Sequence, residues 1–214
     1  MSRVITFGAV SFHVAVAASG RGSNLDALLR ALDPDGPISV DLVLSNRGDA
    51  GAVALARVHG IATAILGDAD DGLAWLSALA MRRIDLLVLA GYLKLIPPTV
   101  VQAYQGRIIN IHPSLLPRHG GPGMYGRRVH EAVLADRNKE SGATVHLVTE
   151  EYDCGPVLAQ ARVPVLPEDS AETLAARVLA MEHRLLPEAV RQAAKAGQPV
   201  SFEFDWAETA SREL

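Results

Sequence analysis

The sequence predicts a single-domain α/β fold: a mostly parallel, twisted sheet, extended by an antiparallel strand pair, with helices on both faces. Three observations lead to this prediction. In the first half of the chain, short apolar segments alternate with helical patterns, as in β-α-β units. Residues 85–90 (D-L-L-V-L-A) are apolar on both faces, which is typical of a parallel strand covered by helices. Residues 144–149 and 157–165 are two strand-like segments separated by a short turn.

The composition favours one ordinary globular domain. With 214 residues, of which 49% are hydrophobic and 21% charged, the chain can bury a sizeable core. We expect one domain over residues 1–214, with its core at about 13–190 and with 1–12 and 199–214 peripheral. The net charge of −4 and the lack of a polybasic run argue against tight, nonspecific binding to nucleic acid or to an anionic membrane.

The compartment is indicated by the cysteine count and by the apolar segments. Cys154 is the single cysteine, so no internal disulfide can form, which fits a reducing compartment. Residues 1–16 lack a convincing secretory signal, and the most apolar stretch, 84–101, contains Asp85, Lys94 and two prolines. We therefore expect a cytoplasmic protein with no nucleic-acid or membrane partner. We consider a homodimer as the assembly of this protein.

The first strand is predicted at residues 13–18, and a glycine-rich turn and a helix over 25–32 follow it. The turn S-G-R-G-S-N brings free N–H groups and the positive end of the helix dipole together, which is an anion site. It is not G-x-G-x-x-G, so a single phosphate suits it better than a dinucleotide. We expect Ser23 and Asn24 to contact this phosphate, with help from Arg107. The alternative is a generic βα turn whose glycines serve only the backbone geometry.

The remaining elements follow from apolar periodicity. Further strands are predicted at 40–45, 62–66 and 85–90, and helices up to about 59, over 73–82, over Arg127–Ala135 and over 170–197. Ser170 and Gly197 are a typical start and stop for the last helix, and Pro187 is predicted to kink it or to begin a second segment. Residues 201–204 alternate like a strand. Residues 1–12 are either a short extra strand or an extension.

The stretch R-I-I-N-I-H-P-S-L-L-P, residues 107–117, is the most informative. It reads as the end of a buried strand, which Pro113 terminates because proline lacks the N–H that a ladder needs. Asn110 and His112 stand two apart, so both project from one face at the carboxyl edge, where open α/β sheets bind ligands. An amide donor and a protonatable imidazole suit a carbonyl oxygen that gains negative charge. Alternatively, Asn110 caps the next turn and His112 is a satisfied, partly buried histidine.

The string N-x-H-P-S-L-L-P resembles the signature of the folate-dependent formyltransferases, and D-C-G-P at residues 153–156 matches a second motif of that family at a corresponding distance. The resemblance extends from about residue 14 to 190. It implies a Rossmann-like formyltransferase fold in which Asn110, His112 and Asp153 are catalytic. It also implies transfer of a formyl group from 10-formyltetrahydrofolate, the co-substrate, to the primary amine of glycinamide ribonucleotide in purine synthesis.

The resemblance further implies two sets of binding residues and requires no metal. The ribonucleotide is expected at a set that includes the matched turn S-G-x-G-S-N-L, namely Gly20, Gly22, Ser23, Asn24, Arg107 and Glu182. The folate is expected at Lys94, Leu95, Ile96, Glu150 and Asp153. Core packing of Leu93, Leu95 and Ile96 and a solvated helix charge at Glu182 are the alternatives. His130 is expected at the surface, with a position facing the site as the alternative. Residues 118–126, rich in glycine, are expected as a flexible loop.

Three other functions stay open. A methionyl-tRNA or sugar-amine formyltransferase shares the catalytic string, but the tRNA enzyme resembles this chain plus a nucleic-acid-binding domain, which we do not expect after residue 190. A formyltetrahydrofolate deformylase carries an N-terminal regulatory domain in its family, which twelve residues cannot supply. A non-catalytic nucleotide-binding module on the same fold is the third, since fold does not fix function. The intact Asn, His and Asp argue against it.

Overall fold

The computed structural model describes residues 11–68 and 70–205. The segment 1–12, predicted as a strand or an extension, therefore falls almost entirely outside the described residues. Within them the chain forms seven strands and six helices. The strands are β1 Phe12–Ala17, β2 Ile38–Ser45, β3 Ala62–Ile65, β4 Leu86–Leu89, β5 Ile108–His112, β6 Glu140–Leu147 and β7 Val157–Pro164. The helices are α1 Ser23–Ala31, α2 Gly51–Val58, α3 Gly72–Met81, α4 Pro98–Ala103, α5 Arg127–Ala135 and α6 Ala171–Ala196.

The strands form one sheet in the order β3-β2-β1-β4-β5-β6-β7. The first five run parallel, and β6 and β7 pair antiparallel with their neighbours. The predicted mostly parallel sheet with an antiparallel pair is confirmed. β1 lies inside the sheet, between β2 and β4, because it is apolar on both faces and can be covered from both sides.

Helices cover both faces of the sheet, as predicted. Val14 and Val16 of β1 pack on one side, in a core that also contains apolar residues of α1, α2, α5 and α6. Ala15 and Ala17 point to the other side, where α3 and α4 contribute Trp75, Leu79 and the valines of α4. This two-sided packing follows from the period of two along a strand.

The order of the strands creates a crevice at their carboxyl ends. After β1 the chain crosses to β2 on one side of the sheet, and β4 lies on the other side of β1. Connections that leave in opposite directions open a gap between the two strands, which is where such sheets bind ligands. The turns after β1 and β4 are tied together there, because the Ser19 N–H donates to the Gly91 carbonyl at 3.0 Å.

Three local features differ from the prediction. Helix α6 is continuous over 26 residues, so Pro187 does not begin a second segment, because burial of its flanking apolar residues offsets the backbone hydrogen bond that proline removes. Helix α4, which begins with Pro98 in its first turn, was not predicted. Residues 201–204 form no strand, and a single hydrogen bond from the Phe202 N–H to the Leu158 carbonyl holds them against β7.

No helix in the described ranges is long and apolar enough to cross a membrane.

Candidate active site

A cavity of about 690 Å³, the main cavity below, opens along the carboxyl ends of β1, β4 and β5. It is lined by residues 20–24, 89–96, 110–113 and 121–127, by several residues of α6, and by the connection between β6 and β7. This is the crevice that the strand order creates. It collects polar side chains from six parts of the sequence.

Asn110 lies on β5 with its side-chain amide bonded on two sides. Its Nδ2 lies 3.0 Å from Nε2 of His146 and 3.3 Å from Oδ1 of Asp153. Nδ1 of His146 lies 2.8 Å from the Leu147 carbonyl, which can only accept, so Nδ1 carries a proton, and Nε2 accepts from Asn110 in the tautomer that has no proton there. Both hydrogens of the Asn110 amide are thus engaged. The longer bond, to Asp153, is the weaker one and the one that a ligand oxygen can replace.

His112 is 4% exposed, and its two ring nitrogens face different partners. Nε2 lies 2.8 Å from the carbonyl oxygen of His119, so it carries a proton. Nδ1 lies 3.5 Å from Oδ2 of Asp153. Burial lowers the pKa of His112, and the Asp153 charge, which acts in the opposite direction, does not reverse this. At neutral pH the ring is therefore neutral, with an unprotonated Nδ1 beside a carboxylate.

Asp153 lies in the turn between β6 and β7, over the end of β5. Its backbone is left-handed, with φ 55°, and its side chain is 9% exposed. Burial opposes ionisation, but His146, His112 and the Gly121 N–H, which donates to Oδ2 at 2.9 Å, together lower the pKa of Asp153. The carboxylate is therefore charged at neutral pH. The structure brings the three predicted catalytic side chains together, as the sequence predicted.

The first turn of α1 forms one end of the main cavity. Gly22, with φ 86°, is the N-cap, and no side chain caps the helix, so its first N–H groups are available to an anion. Gly20, Gly22, Ser23 and Asn24 all line this end. The side chain of Asn24 is itself engaged, since its Nδ2 donates to Oε2 of Glu182 at 2.7 Å.

Glu182 lies on α6, is 8% exposed and lines the same end of the cavity. Burial raises its pKa, while the hydrogen bond from Asn24 acts in the opposite direction. The solvated-charge alternative is therefore wrong. Glu182 instead joins α6 to the first turn of α1 inside the cavity.

The family model for formyl transferases matches residues 12–190. The chain belongs to the formyl transferase family.

Individual relatives agree with this. Chloroplastic phosphoribosylglycinamide formyltransferase of Arabidopsis thaliana is 45% identical over 186 residues, which cover 83% of this chain and 63% of the relative. The chain therefore spans less than two thirds of that plant protein. Phosphoribosylglycinamide formyltransferase of Escherichia coli strain K12 is 38% identical over 182 residues, covering 82% of this chain and 84% of the relative. A crystal structure of phosphoribosylglycinamide formyltransferase from Brucella melitensis superposes with a TM-score of 0.78 at 44% identity, covering 90% of this chain and all of the other (100%).

Two residues that we expected to bind ligands in this formyl transferase lie outside the cavity. Arg107 comes before β5, at the amino edge of the sheet, whereas the glycine turn lies at the carboxyl edge. Its guanidinium bonds to the Ala103 carbonyl at 2.9 Å and stacks 4.4 Å from the ring of Tyr104. Glu150 is exposed and turns away from the cavity, towards Gln102 of α4. We therefore correct both expectations.

The other expected folate residues lie in the cavity wall of the formyl transferase. Ile96 is buried, whereas Lys94 and Leu95 are exposed within the wall. Leu95 is thus available to a ligand, while Ile96 belongs both to the core and to the wall. From the β6–β7 connection, Glu151 and Tyr152 line the cavity in place of Glu150.

His146 is a site residue that sequence reasoning missed, and His130 is one for which a surface position was preferred over a position that faces the site. His130 was expected at the surface, but it is 4% exposed and lines the cavity, because it shares the buried face of α5 with Val129 and Val133. His146 lies opposite Asn110 in the antiparallel register of β5 and β6.

Within the described ranges, no group of three or more His, Cys, Asp or Glu side chains could hold a metal ion.

The turn that carries Asp153 depends on Gly155. A Cβ at Gly155 would lie 1.7 Å from the Leu147 carbonyl oxygen, so alanine there must push β6 and the turn apart. We expect Gly155→Ala to cost about 1–3 kcal/mol, as overpacking does, and to lower the melting temperature by about 2–4 °C per kcal/mol. Thermal denaturation measures this. Gly67→Ala, where a Cβ meets nothing within 4 Å, is the control, and equal melting temperatures for the two variants would contradict the expectation.

Proposed function

We propose that this protein transfers a formyl group from 10-formyltetrahydrofolate to the primary amine of glycinamide ribonucleotide. The observation that carries the proposal is that one cavity is lined by the uncapped first turn of α1, by the apolar residues after β4, and by Asn110, His112 and Asp153. The names of the Arabidopsis and Escherichia coli relatives support the same reaction. The expected homodimer and cytoplasmic location stay predictions.

The acceptor lies with its phosphate at the first turn of α1. Uncapped N–H groups and the helix dipole favour a dianion there. Glu182, held by Asn24, lies where it can accept from a hydroxyl or amine group of the same molecule. The phosphate contacts therefore come from the backbone of residues 22–24 rather than from Arg107.

The folate lies at the other end, against the segment after β4 and the connection between β6 and β7. Leu93 and Leu95 are 46% and 43% exposed and present apolar surface to a flat ring. The backbone around them offers donors and acceptors that a pteridine needs. With the folate bound there, we expect its formyl carbon over the end of β5.

The reaction needs an oxyanion donor and a base. As the amine attacks the formyl carbon, charge develops on the formyl oxygen, and Asn110 exchanges its long bond to Asp153 for this oxygen. His112 takes the proton of the amine at Nδ1, because Nε2 is already bonded to the His119 carbonyl. Asp153 stabilises the imidazolium that results, and the proton then passes to the leaving nitrogen of the folate.

The proposal is tested by supplying 10-formyltetrahydrofolate with glycinamide ribonucleotide, with other amines and with water alone. We expect formyl transfer to the ribonucleotide and little hydrolysis. Release of formate at the same rate without an amine would instead identify a deformylase, and faster transfer to a sugar amine would identify a different acceptor. A protein that binds the ribonucleotide but leaves the folate unchanged in every assay would be a binding module.

The anion site predicts an effect of Gly20→Ala. A Cβ at Gly20 meets no atom within 4 Å, so the fold tolerates it, but the methyl group intrudes where the phosphate approaches the backbone. A hydrogen bond to a charged group contributes about 1.5–3 kcal/mol, so we expect KM for the ribonucleotide to rise about tenfold or more. KM for the folate should stay unchanged in the same steady-state assay.

The control for this prediction is Gly48→Ala, which also meets no atom within 4 Å and lies outside the cavity. Gly22 is unsuitable, because its φ is 86° and a Cβ there would lie 2.7 Å from Cα of Ala52. Its substitution would disturb α2 as well as the anion site. An equal rise in KM for both substrates in Gly20→Ala would place the phosphate elsewhere.

A further inference from the structure

His130 is a buried, unbonded histidine in the wall of the main cavity. In the described part of the chain, five buried side-chain atoms lack a hydrogen-bond partner, and three of these belong to residues that line this cavity. The three are Asn24 Oδ1, Tyr92 Oη and His130 Nδ1. Buried polar atoms normally have partners. His130 has in addition a second ring nitrogen, Nε2, that is neither bonded nor enclosed, so it is the atom of this group that a ligand in the cavity can reach.

His130 differs from the other two in what fixes its side chain. The amide of Asn24 is bonded to Glu182, and the ring of Tyr92 packs edge-on against Trp75. The imidazole of His130 has no hydrogen-bond partner on either nitrogen among the described residues. α5 packs against α6, and two of the α6 residues in the cavity wall, Ala175 and Leu179, have no polar side-chain atom to offer.

The position of the proton on His130 follows from its surroundings. Burial, and then the charge of His112, lower the pKa of His130, so the ring is neutral at neutral pH. A buried N–H with no acceptor is rarer in proteins than a buried lone pair with no donor. Since Nδ1 is enclosed without a partner, the proton lies on Nε2. Nε2 is neither bonded nor enclosed, so it is the nitrogen that can donate to a ligand.

His130 lies on the α6 side of the cavity, because α5 packs against α6, the helix that carries Glu182. Protonation of His112 would lower the pKa of His130, so the two imidazoles are also neighbours. The proposed folate end is formed by other segments, after β4 and between β6 and β7. An oxygen of the acceptor that lies between its phosphate and its amine therefore passes His130.

We propose that His130 is a positioning residue for the acceptor, whose neutral imidazole donates from Nε2 to a hydroxyl or carbonyl oxygen between the phosphate and the reacting amine. The proposal rests on the proposed function, because it assumes that a phosphorylated amine occupies this end. It assigns His130 no part in proton transfer. His112 is the base, and a neutral neighbour does not repel the imidazolium that His112 becomes.

The test compares His130→Leu, which removes the donor, with His130→Gln, whose amide nitrogen can take the place of Nε2. For His130→Leu we expect KM for glycinamide ribonucleotide to rise about three- to tenfold, the loss of one neutral hydrogen bond, with KM for the folate unchanged. His130→Gln should restore most of this. Calorimetric titration of the ribonucleotide into each variant, without folate, should show the same ratio of Kd values.

The control is His183→Leu. His183 is partly buried, also has an enclosed, unpartnered ring nitrogen and lies outside the cavity wall, so it shares this feature with His130 without the proposed contact. Its KM values should not change. If His130→Leu fails to fold, His130→Asn against His130→Gln decides, because asparagine is too short to place a donor at the position of Nε2.

The outcomes separate the two proposals. If the wild-type protein neither binds nor formylates the ribonucleotide, the proposed function fails and this inference fails with it. If the wild type is active and His130→Leu leaves KM and Kd for the ribonucleotide unchanged, or raises both KM values equally, only the role of His130 is overturned. A glutamine variant as weak as the leucine variant would also overturn it.

Discussion

Replacing His112 by alanine is expected to lower kcat for formyl transfer by about 10²–10⁴, the usual contribution of a positioned acid or base. The imidazole is 4% exposed, its Nε2 is fixed by the His119 carbonyl, and Nδ1 is left unprotonated beside Asp153. With no other base poised in this way at the end of β5, the attacking amine must lose its proton to water. KM for either substrate should change much less than kcat. Steady-state kinetics with both substrates varied measures this.

The matched control is His59→Ala, which removes an exposed histidine that follows α2, away from the cavity. It should leave kcat and both KM values unchanged. If His112→Ala retained most of the wild-type kcat while its melting temperature fell, His112 would be a buried structural histidine. The alternative that the sequence left open, a satisfied histidine without a chemical role, would then be correct.

The fold and the centre of the site could be predicted because they depend on local patterns. Alternating apolar segments define the parallel strands, and Asn110 and His112 stand two apart on a strand that Pro113 ends. Their side chains therefore had to share one face at the carboxyl edge. The approach of Asp153, from a turn more than forty residues later, came from the family resemblance and not from the pattern.

The remaining site residues depend on contacts that no local pattern records. His146 faces Asn110 only because of the register between β5 and β6, which the sequence does not state. Arg107 was misplaced although it comes before β5 and His112 ends that strand, so its side chain lies at the edge opposite the glycine turn. His130 was placed at the surface on residue type alone, although Val129 and Val133 mark its side of α5 as buried.

Replacing Asp153 by asparagine is expected to lower kcat almost as severely as His112→Ala, and to move the pH–rate profile to lower pH. The carboxylate of Asp153 raises the pKa of His112 against the effect of burial. Without this charge, the pKa of His112 falls further. Because the unprotonated Nδ1 is the active form, the acidic limb of kcat/KM follows that pKa downwards. Activity nevertheless falls, because the imidazolium formed in the reaction loses its counter-charge.

Asparagine also lacks one of the two acceptors at this position. Gly121 N–H and Asn110 Nδ2 each donate to a different oxygen of Asp153, at 2.9 Å and 3.3 Å, and an amide can accept only one of these bonds. Cys154→Ala is the control: Cys154 is exposed, adjacent and outside the cavity wall, so this variant should keep the wild-type rate and profile.

The decisive measurement for Asp153 is the double variant with His112→Ala. If Asp153 acts through His112, removing both should cost little more than removing His112 alone, because residues that work as a unit are not additive. Costs that multiply would mean that Asp153 acts on the substrate independently of His112. An Asp153→Asn protein with an unshifted acidic limb would lead to the same conclusion, because the limb reports the pKa of His112 only while Asp153 faces its Nδ1 at 3.5 Å.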